Sequence, residues 1–469
     1  MMFIKHFKNA CRIIKNILKG TANVRCEILP EKQNVNIVKA KEEFIRLHQD
    51  VTDELMDLNS IEYRIVPTKL VNMSNMLIYN KHYSYDYVRL VANSKEKYDI
   101  VITIKQLRTG GTDKLLLGYI RGIKKYRSDL EIAILVLEGD RSAWSDEFSK
   151  CADVFYCSKL FVKKHQQSDW NYLFERFIEQ KKVHILWNFN CRECYLFQEC
   201  RKREVSKNLR IWNLIFAHWL KPNSRIEFGM AHENLPFVID KCDRIISDNQ
   251  TFIEYITHQY GWNREKFTVL YIPNSEEKIA LRSRQRGKRL NILWASGIEW
   301  NKGVKILPMI SELTKDINVH IDVYGTTKNE SGKQLLNKLI KDIQGMSNIC
   351  YKGGFSNFKE ILSNDSYDAF LFTSIVEGMP NVILEAAEAQ LNIISSKVGG
   401  IEEFLNDTNA YLISNSTDAN EYASKIRQRY EDFINENDDK INRMVQSYNE
   451  KFTSDRFVTD FKRIYENEY

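Results

Sequence analysis

An α/β protein with two doubly wound parallel sheets is the fold class that this sequence predicts, and three observations carry the prediction. Short Val- and Ile-rich runs recur from Tyr98 onward without polar alternation, as strands buried on both faces require. Amphipathic stretches separate them and supply the crossovers of a parallel sheet. A charged break over Ser275–Arg289 then divides the series in two, and 469 residues exceed the roughly 250–300 at which one core stops growing.

The elements follow in order. Residues 1–20 carry Lys5, Lys8, Arg12, Lys15 and Lys19 at spacings of three and four with no acid among them, beside Phe3, Phe7, Cys11, Ile14 and Leu18. This spacing predicts a basic amphipathic helix ending at Gly20, suited to an anionic membrane surface; the same pattern also serves a helix docked on the protein's own body. Residues 21–96 hold two short strand-like runs, Val24–Leu29 and Ile61–Val66, and no chemical motif. Strands are expected at Asp99–Ile104, Ile132–Leu137, Val183–Trp187, Arg244–Ser247 and Thr268–Ile272. After the break they are expected at Leu290–Ala295, His320–Tyr324, Ile349–Tyr351, Ala369–Thr373 and Asn392–Ser395. The domain division is therefore 1–20, 21–280, 281–450, and a C-terminal helix over 451–469 that returns to the first domain.

Composition narrows the function classes. Hydrophobic types at 43% and charged types at 28% describe a soluble globular protein, and a net charge of +6 is too small to imply a nucleic-acid binder, for which the basic stripe of residues 1–20 supplies no interleaved aromatic platform. Nine irregularly spaced cysteines predict a reducing compartment rather than a disulfide framework. No apolar run reaches the roughly 18 residues that span a bilayer, which places the chain in the cytoplasm, against the inner face of a membrane if the first helix binds there. Cys191, Cys194 and Cys200 lack a fourth ligand at zinc spacing, and no Asp-x-Asp pair closes a strand, so no metal is expected. No strand is followed by a dinucleotide-type glycine pattern, which disfavours a nicotinamide or flavin cofactor.

Chemistry concentrates in Thr373–Ala386. A buried strand ends near Thr373, Gly378 and Pro380 force a tight turn, and Asn381 suits the N-cap of a helix beginning at Val382. A helix N-terminus at the carboxyl edge of a parallel sheet presents N–H groups and a positive dipole end to a phosphate. Glu377 before the turn and Glu385 one turn into the helix can face the same ligand. Taken singly, Glu377 reads as a solvated loop acid and Glu385 as a first-turn acid complementing the dipole; the combined pattern favours a shared ligand.

Glu377-Gly378-Met379-Pro380 with Glu385-Ala386 resembles the paired-glutamate donor motif of the retaining glycosyltransferases of family 4, Glu-Gly-x-Pro-x-x-x-x-Glu-Ala. Val398-Gly-Gly-Ile-Glu-Glu403 is similar to the family's following Gly-Gly turn. Ile292–Gly303 looks like the segment opening the second domain, with Ser296, Gly297 and Lys302 in its loop; Gly297 stands where the family carries an Arg. Arg108-Thr-Gly-Gly-Thr-Asp-Lys114 resembles the family's Gly-Gly loop in the first domain, and His184 or His232 is the polar candidate facing an acceptor. The resemblance covers Tyr98–Tyr469, most strongly Leu290–Phe404, and implies the GT-B fold, two Rossmann-like domains facing a cleft, here with an N-terminal extension.

It further implies a metal-independent retaining transfer from a nucleotide-diphosphate sugar to a saccharide acceptor, similar to enzymes of bacterial O-antigen and capsule assembly, where the acceptor is linked to a polyprenyl diphosphate. By this resemblance Glu377 holds the sugar, Glu385 the ribose, and Lys302 the diphosphate together with N–H groups of Met379, Asn381 and Val382. Gly110 and Gly111 lie toward the cleft. The alternatives are a soluble or protein acceptor, and an inactive partner that binds sugar nucleotides.

Overall fold

A computed structural model of the chain describes residues 90–108, 110–158, 167–200, 208–217, 219–220, 227–276, 278–280, 287–355, 357–364 and 366–467. The expected helix over 1–20 and the strand-like runs at 24–29 and 61–66 lie outside the described residues. Two parallel sheets, one of seven strands and one of six, and a two-stranded antiparallel pair organise the rest. The chain divides into two compact units, one comprising 1–107, 131–186 and 202–209 and the other 108–130, 187–201 and 210–469.

In the first unit, β1 (Ile100–Ile104), β2 (Ile132–Val136) and β3 (Asp153–Tyr156) are parallel in the order β3-β2-β1. Every residue of β1 and β2 is buried, which explains why both read as runs without polar alternation. β4 (Ile185–Phe189) begins two residues later than expected, leaving Val183 and His184 in the turn after Lys182, whose φ is 47°.

The second unit contains β5 (Arg210–Ile215), the short antiparallel pair β6 (Trp219–Leu220) and β7 (Glu227–Phe228), then β8 (Arg244–Ser247) and β9 (Phe267–Val269). β5 pairs with β8 and β8 with β9, all parallel. β5 was not expected, because Asn213 interrupts its apolar run. Asn213 is nevertheless fully buried: its Oδ1 accepts from Asn188 Nδ2 at 3.0 Å and Gln198 Nε2 at 2.9 Å, and its Nδ2 donates to Gln198 Oε1 at 2.8 Å. Three fully buried amides thus satisfy one another, which makes their desolvation tolerable.

The six-stranded sheet is built from β10 (Leu290–Ala295), β11 (Val319–Tyr324), β12 (Ile349–Gly353), β13 (Ala369–Phe372), β14 (Asn392–Ser396) and β15 (Tyr411–Ile413). Their order is β12-β11-β10-β13-β14-β15. The chain builds outward from β10 in one direction, then returns to start again at β13 beside it, so the topological switch point lies between β10 and β13. Leu290, Ile292, Trp294, Ile321, Val323 and Leu371 form its core with Tyr411 and Tyr422.

Two long helices close the second unit. Gly111–Tyr126 packs on Ser454–Glu466, where Tyr119 meets Phe457 at 5.2 Å and Tyr126 meets Phe461 at 6.0 Å between ring centroids. Trp212 of β5 also reaches Phe461, at 6.2 Å.

Candidate active site

The candidate site lies at the carboxyl ends of β10 and β13. The loop after β10 carries Ser296 and Gly297 and enters a single 3-10 turn, Trp300–Lys302. Gly303 follows with φ 67°, and a Cβ there would stand 1.9 Å from Thr373 O, so the two loops press together at a point only glycine fits. Trp294 Nε1 donates to Thr373 Oγ1 at 2.9 Å, and that hydroxyl donates to Lys302 O at 2.7 Å. Ile375 N donates to Asn301 O at 2.7 Å. A buried tryptophan and threonine therefore set the backbone from which Lys302 projects.

Lys302 Nζ donates to Glu377 Oε1, and Ser374 Oγ donates to the same oxygen at 2.8 Å. Both charged side chains are largely buried, at 20% and 13% exposure, so their attraction is less screened than a surface pair's. One of the three ammonium protons meets Glu377, and the other two can serve a phosphate oxygen.

The Glu377–Pro380 turn is gripped from two sides. Gly399, at φ 58°, sits so close beneath it that a Cβ would lie 2.2 Å from Glu377 O, and Gly400 N donates to Gly378 O at 2.9 Å. On the other side, a Cβ on Gly378 would lie 2.8 Å from Phe216 O, and Asn249 Nδ2 donates to that same carbonyl at 2.8 Å. Both glycines are thus required by close backbone approach.

The helix that follows is Asn381–Glu388, with Pro380 at its N-cap. The expectation that Asn381 caps a helix starting at Val382 is corrected: Asn381 is the first helical residue, and its Nδ2 donates to Gly111 O at 2.8 Å. The Pro380 ring presets φ near the helical entry, which lets the helix begin one residue early without a side-chain cap. The Met379 backbone N–H faces the Asp248 carboxylate, which burial pushes up to about 7. Asn381 and Val382 remain as first-turn residues whose N–H groups have no intrahelical acceptor.

Glu385 projects from the first full turn and accepts from Lys114 Nζ at 2.8 Å, with the two side chains 25% and 30% exposed. Lys114 belongs to the first turn of Gly111–Tyr126, behind Gly110, whose N–H is held by Asp113 Oδ2 at 3.0 Å. The structure thus brings Gly110, Gly111, Asn381 and Glu385 into one neighbourhood, and Lys302 with Glu377 into another on the same turn. Lys114, Thr373, Trp294, Asp248 and Asn249 join them without having been singled out from sequence. Lys114 alone carried a signal, as the one cation of the Gly-Gly segment's helical end.

The histidines stand elsewhere. His184 precedes β4 at its amino end, donating its backbone N–H to Tyr98 O at 3.4 Å, whereas ligands of parallel sheets bind at carboxyl ends. His232 lies in the first turn of Met230–Val238, with Nδ1 3.1 Å from Tyr260 OH and its ring against Phe252 and Tyr255. Cys191 and Cys194 are buried and Cys200 is exposed; burial raises the Cys191 thiol well above its ordinary range. Among the described residues no group of three or more His, Cys, Asp or Glu is placed to hold a metal ion, and no helix is long and apolar enough to cross a membrane.

Residues 275–447 match the family described as Glycosyl transferases group 1. This segment is similar to a group 1 glycosyltransferase domain. Ser296, Gly297, Lys302, Glu377 and Glu385 lie inside it. A curated relative, the N,N'-diacetylbacillosaminyl-diphospho-undecaprenol alpha-1,3-N-acetylgalactosaminyltransferase of Campylobacter jejuni, is 24% identical over 210 residues, 44% of this chain and 54% of the relative. The match therefore spans about half the length of that protein. A glycosyltransferase from Rickettsia africae superposes with a TM-score of 0.61 at 14% identity, covering 80% of this chain and 99% of its own. The Anabaena HepE protein in complex with UDP superposes equally well, at 0.61 and 14% identity over 79% of this chain and all of its own. The superpositions show the GT-B fold, and the matched segment contains its six-stranded sheet.

Proposed function

We propose that this chain transfers a sugar, with retention of anomeric configuration, from a nucleotide-diphosphate sugar to a saccharide acceptor, and that the group 1 domain holds the donor at the switch point between β10 and β13. The observation that carries this reading is the Glu377–Lys302 pair, set on one turn with the Glu385–Lys114 pair. Two carboxylates and two ammoniums around a helix N-terminus suit a ligand that carries both hydroxyls and a diphosphate.

In the reaction, the bond between the anomeric carbon and the diphosphate oxygen breaks, and a new bond forms to the acceptor oxygen on the same face of the sugar. Negative charge grows on the leaving phosphate and positive charge on the sugar carbon. Lys302 and the Asn381 and Val382 N–H groups meet the first, and Glu377, hydrogen-bonded to the sugar, favours the second. The acceptor hydroxyl's proton passes to the leaving phosphate, so the balance closes without a separate base or a metal ion. Glu385 binds the ribose.

The acceptor in this reading is a saccharide on a polyprenyl diphosphate at the inner face of a bacterial membrane, in O-antigen or capsule assembly. The Campylobacter relative, whose name includes a diphospho-undecaprenol, and the basic stretch at residues 1–20 support it. The test is thermal stabilisation and product formation across a panel of nucleotide sugars with a polyprenyl-diphosphate saccharide. One donor should raise the melting temperature and be consumed only with the acceptor present. A panel in which no nucleotide sugar stabilises the folded protein or is turned over would overturn the proposal.

A further inference from the structure

A cleft of about 330 Å³ lies between β9 and the C-terminal helix Ser454–Glu466, lined by residues that the proposed transfer does not use. Three separate segments bring Arg244, Arg264, Arg456 and Arg463 to it, and Asp460 is the one acid in its wall. Four guanidinium groups against one carboxylate leave a formal excess of three positive charges. Arginine cannot relieve such crowding by losing a proton.

The hydrogen bonds show how the charge is distributed. Asp460 is shared, with Arg456 Nε at 2.8 Å on one oxygen and Arg463 at 3.7 Å from the other. Arg264 donates to Phe267 O and, at 2.7 Å, to Gln250 Oε1, while Arg244 donates to Thr268 Oγ1 at 3.0 Å. Nearby, Glu254 accepts from Gln250 Nε2 at 2.7 Å and its charge favours the Arg264 cation, and Glu403 accepts from Gln250 N, Thr251 N and Tyr271 OH at 2.7–2.9 Å; neither lines the cleft. The arginines of the cleft therefore outnumber the carboxylates that reach into it. Arg456 and Arg463 keep more than half of their side-chain surface exposed, so an incoming group can reach them.

We propose that this cleft is a binding site for a phosphate-bearing anion, separate from the donor site. The forked donors of arginine match two phosphate oxygens at once, and a volume of this size accommodates a phosphate or diphosphate group rather than a whole nucleotide sugar. Two sources share that chemistry, a soluble phosphate compound and the headgroup of an anionic lipid. Glu403 joins this cleft to the group 1 motif, since it binds Gln250 and Tyr271 and stands three residues after Gly400.

The experiment is titration of the full chain with inorganic pyrophosphate, followed by calorimetry in a Lys302→Ala background that weakens the donor site. Binding should persist in that background and weaken about tenfold in Arg456→Gln/Arg463→Gln, the loss expected when charge-assisted bonds are removed. Asp460→Asn, which retains the shape but removes the competing charge, should instead bind pyrophosphate more tightly. Absent binding, or an affinity unmoved by the arginine changes in a protein with an unaltered melting curve, overturns the proposal. Should the double variant melt early, Arg463→Gln alone and Asp460→Asn carry the test, and failure of the latter to tighten binding is equally adverse. Displacement of bound pyrophosphate by phosphatidylglycerol vesicles, but not by phosphatidylcholine vesicles, assigns the site to a lipid headgroup, and no displacement by either assigns it to a soluble ligand.

Discussion

Lys302 and Glu377 neutralise each other across one hydrogen bond, and that pairing defines what each substitution should do. Glu377→Gln keeps the shape and removes the charge that favours the positive sugar carbon, so it should lower turnover. Glu385→Gln should chiefly weaken donor binding, because its proposed partner is the ribose. Lys302→Ala should reduce single-turnover transfer by about 10²–10³, by analogy with the loss of one transition-state donor. Full activity in Glu377→Gln with an unchanged melting curve would sink the donor-site assignment. Gly297 offers the complementary gain. A Cβ there meets nothing within 4 Å, so Gly297→Arg has room to place a cation beside the diphosphate and should tighten donor binding by about 1–3 kcal/mol. Weaker donor affinity in that variant would mean the loop faces another way. Asp248 makes a prediction in pH. Burial raises its carboxyl from an ordinary 3.8 to about 7, so the folded state retains a proton that the unfolded state has released. Its contribution is therefore lost as pH rises from about 4 to about 7. Asp248→Asn keeps an acceptor for the Met379 N–H and should flatten that decline in melting temperature; an identical pH profile in the variant would refute the burial argument.

Two glycines on one helix show how packing decides an element's tolerance. In Gly111–Tyr126, a Cβ on Gly122 would lie 2.3 Å from Phe457 Cδ1, whereas one on Gly118 meets Ile272 and Pro273 at an ordinary 3.4 Å. Alanine improves helix propensity by about 0.5–1 kcal/mol at either site. At Gly118 that gain should stand. At Gly122 it is outweighed by the overpacking cost of about 1–3 kcal/mol as the C-terminal helix is pushed off Tyr119 and Tyr126. Urea unfolding of the two variants should give midpoints displaced in opposite directions, and equal displacement would show that the helices do not meet as described.

For the molecule as a whole, the reading of residues 1–20 as an anchor on an anionic surface requires a body that folds without them. Deleting those residues should release the protein from phosphatidylglycerol vesicles while leaving its melting temperature unchanged, and added salt should weaken full-length binding. A truncated protein that unfolds would show instead that the stretch packs on the body.

Much of this architecture is written locally. Largely apolar runs at β1, β2, β10 and β13 mark buried parallel strands, because burial on both faces leaves a signature in consecutive residues. The turn at Gly378–Pro380 and the glutamates around it were legible for the same reason: turn chemistry and helix entry depend on near neighbours. β5 escaped notice because a buried Asn213 looks polar until the amides of Asn188 and Gln198 are beside it. Lys114 lies 271 residues from Glu385, and Trp294 lies 79 from Thr373. The charge balance of the site and the backbone that aims Lys302 arise only when strands from distant parts of the chain lie side by side, and no local pattern encodes those pairings.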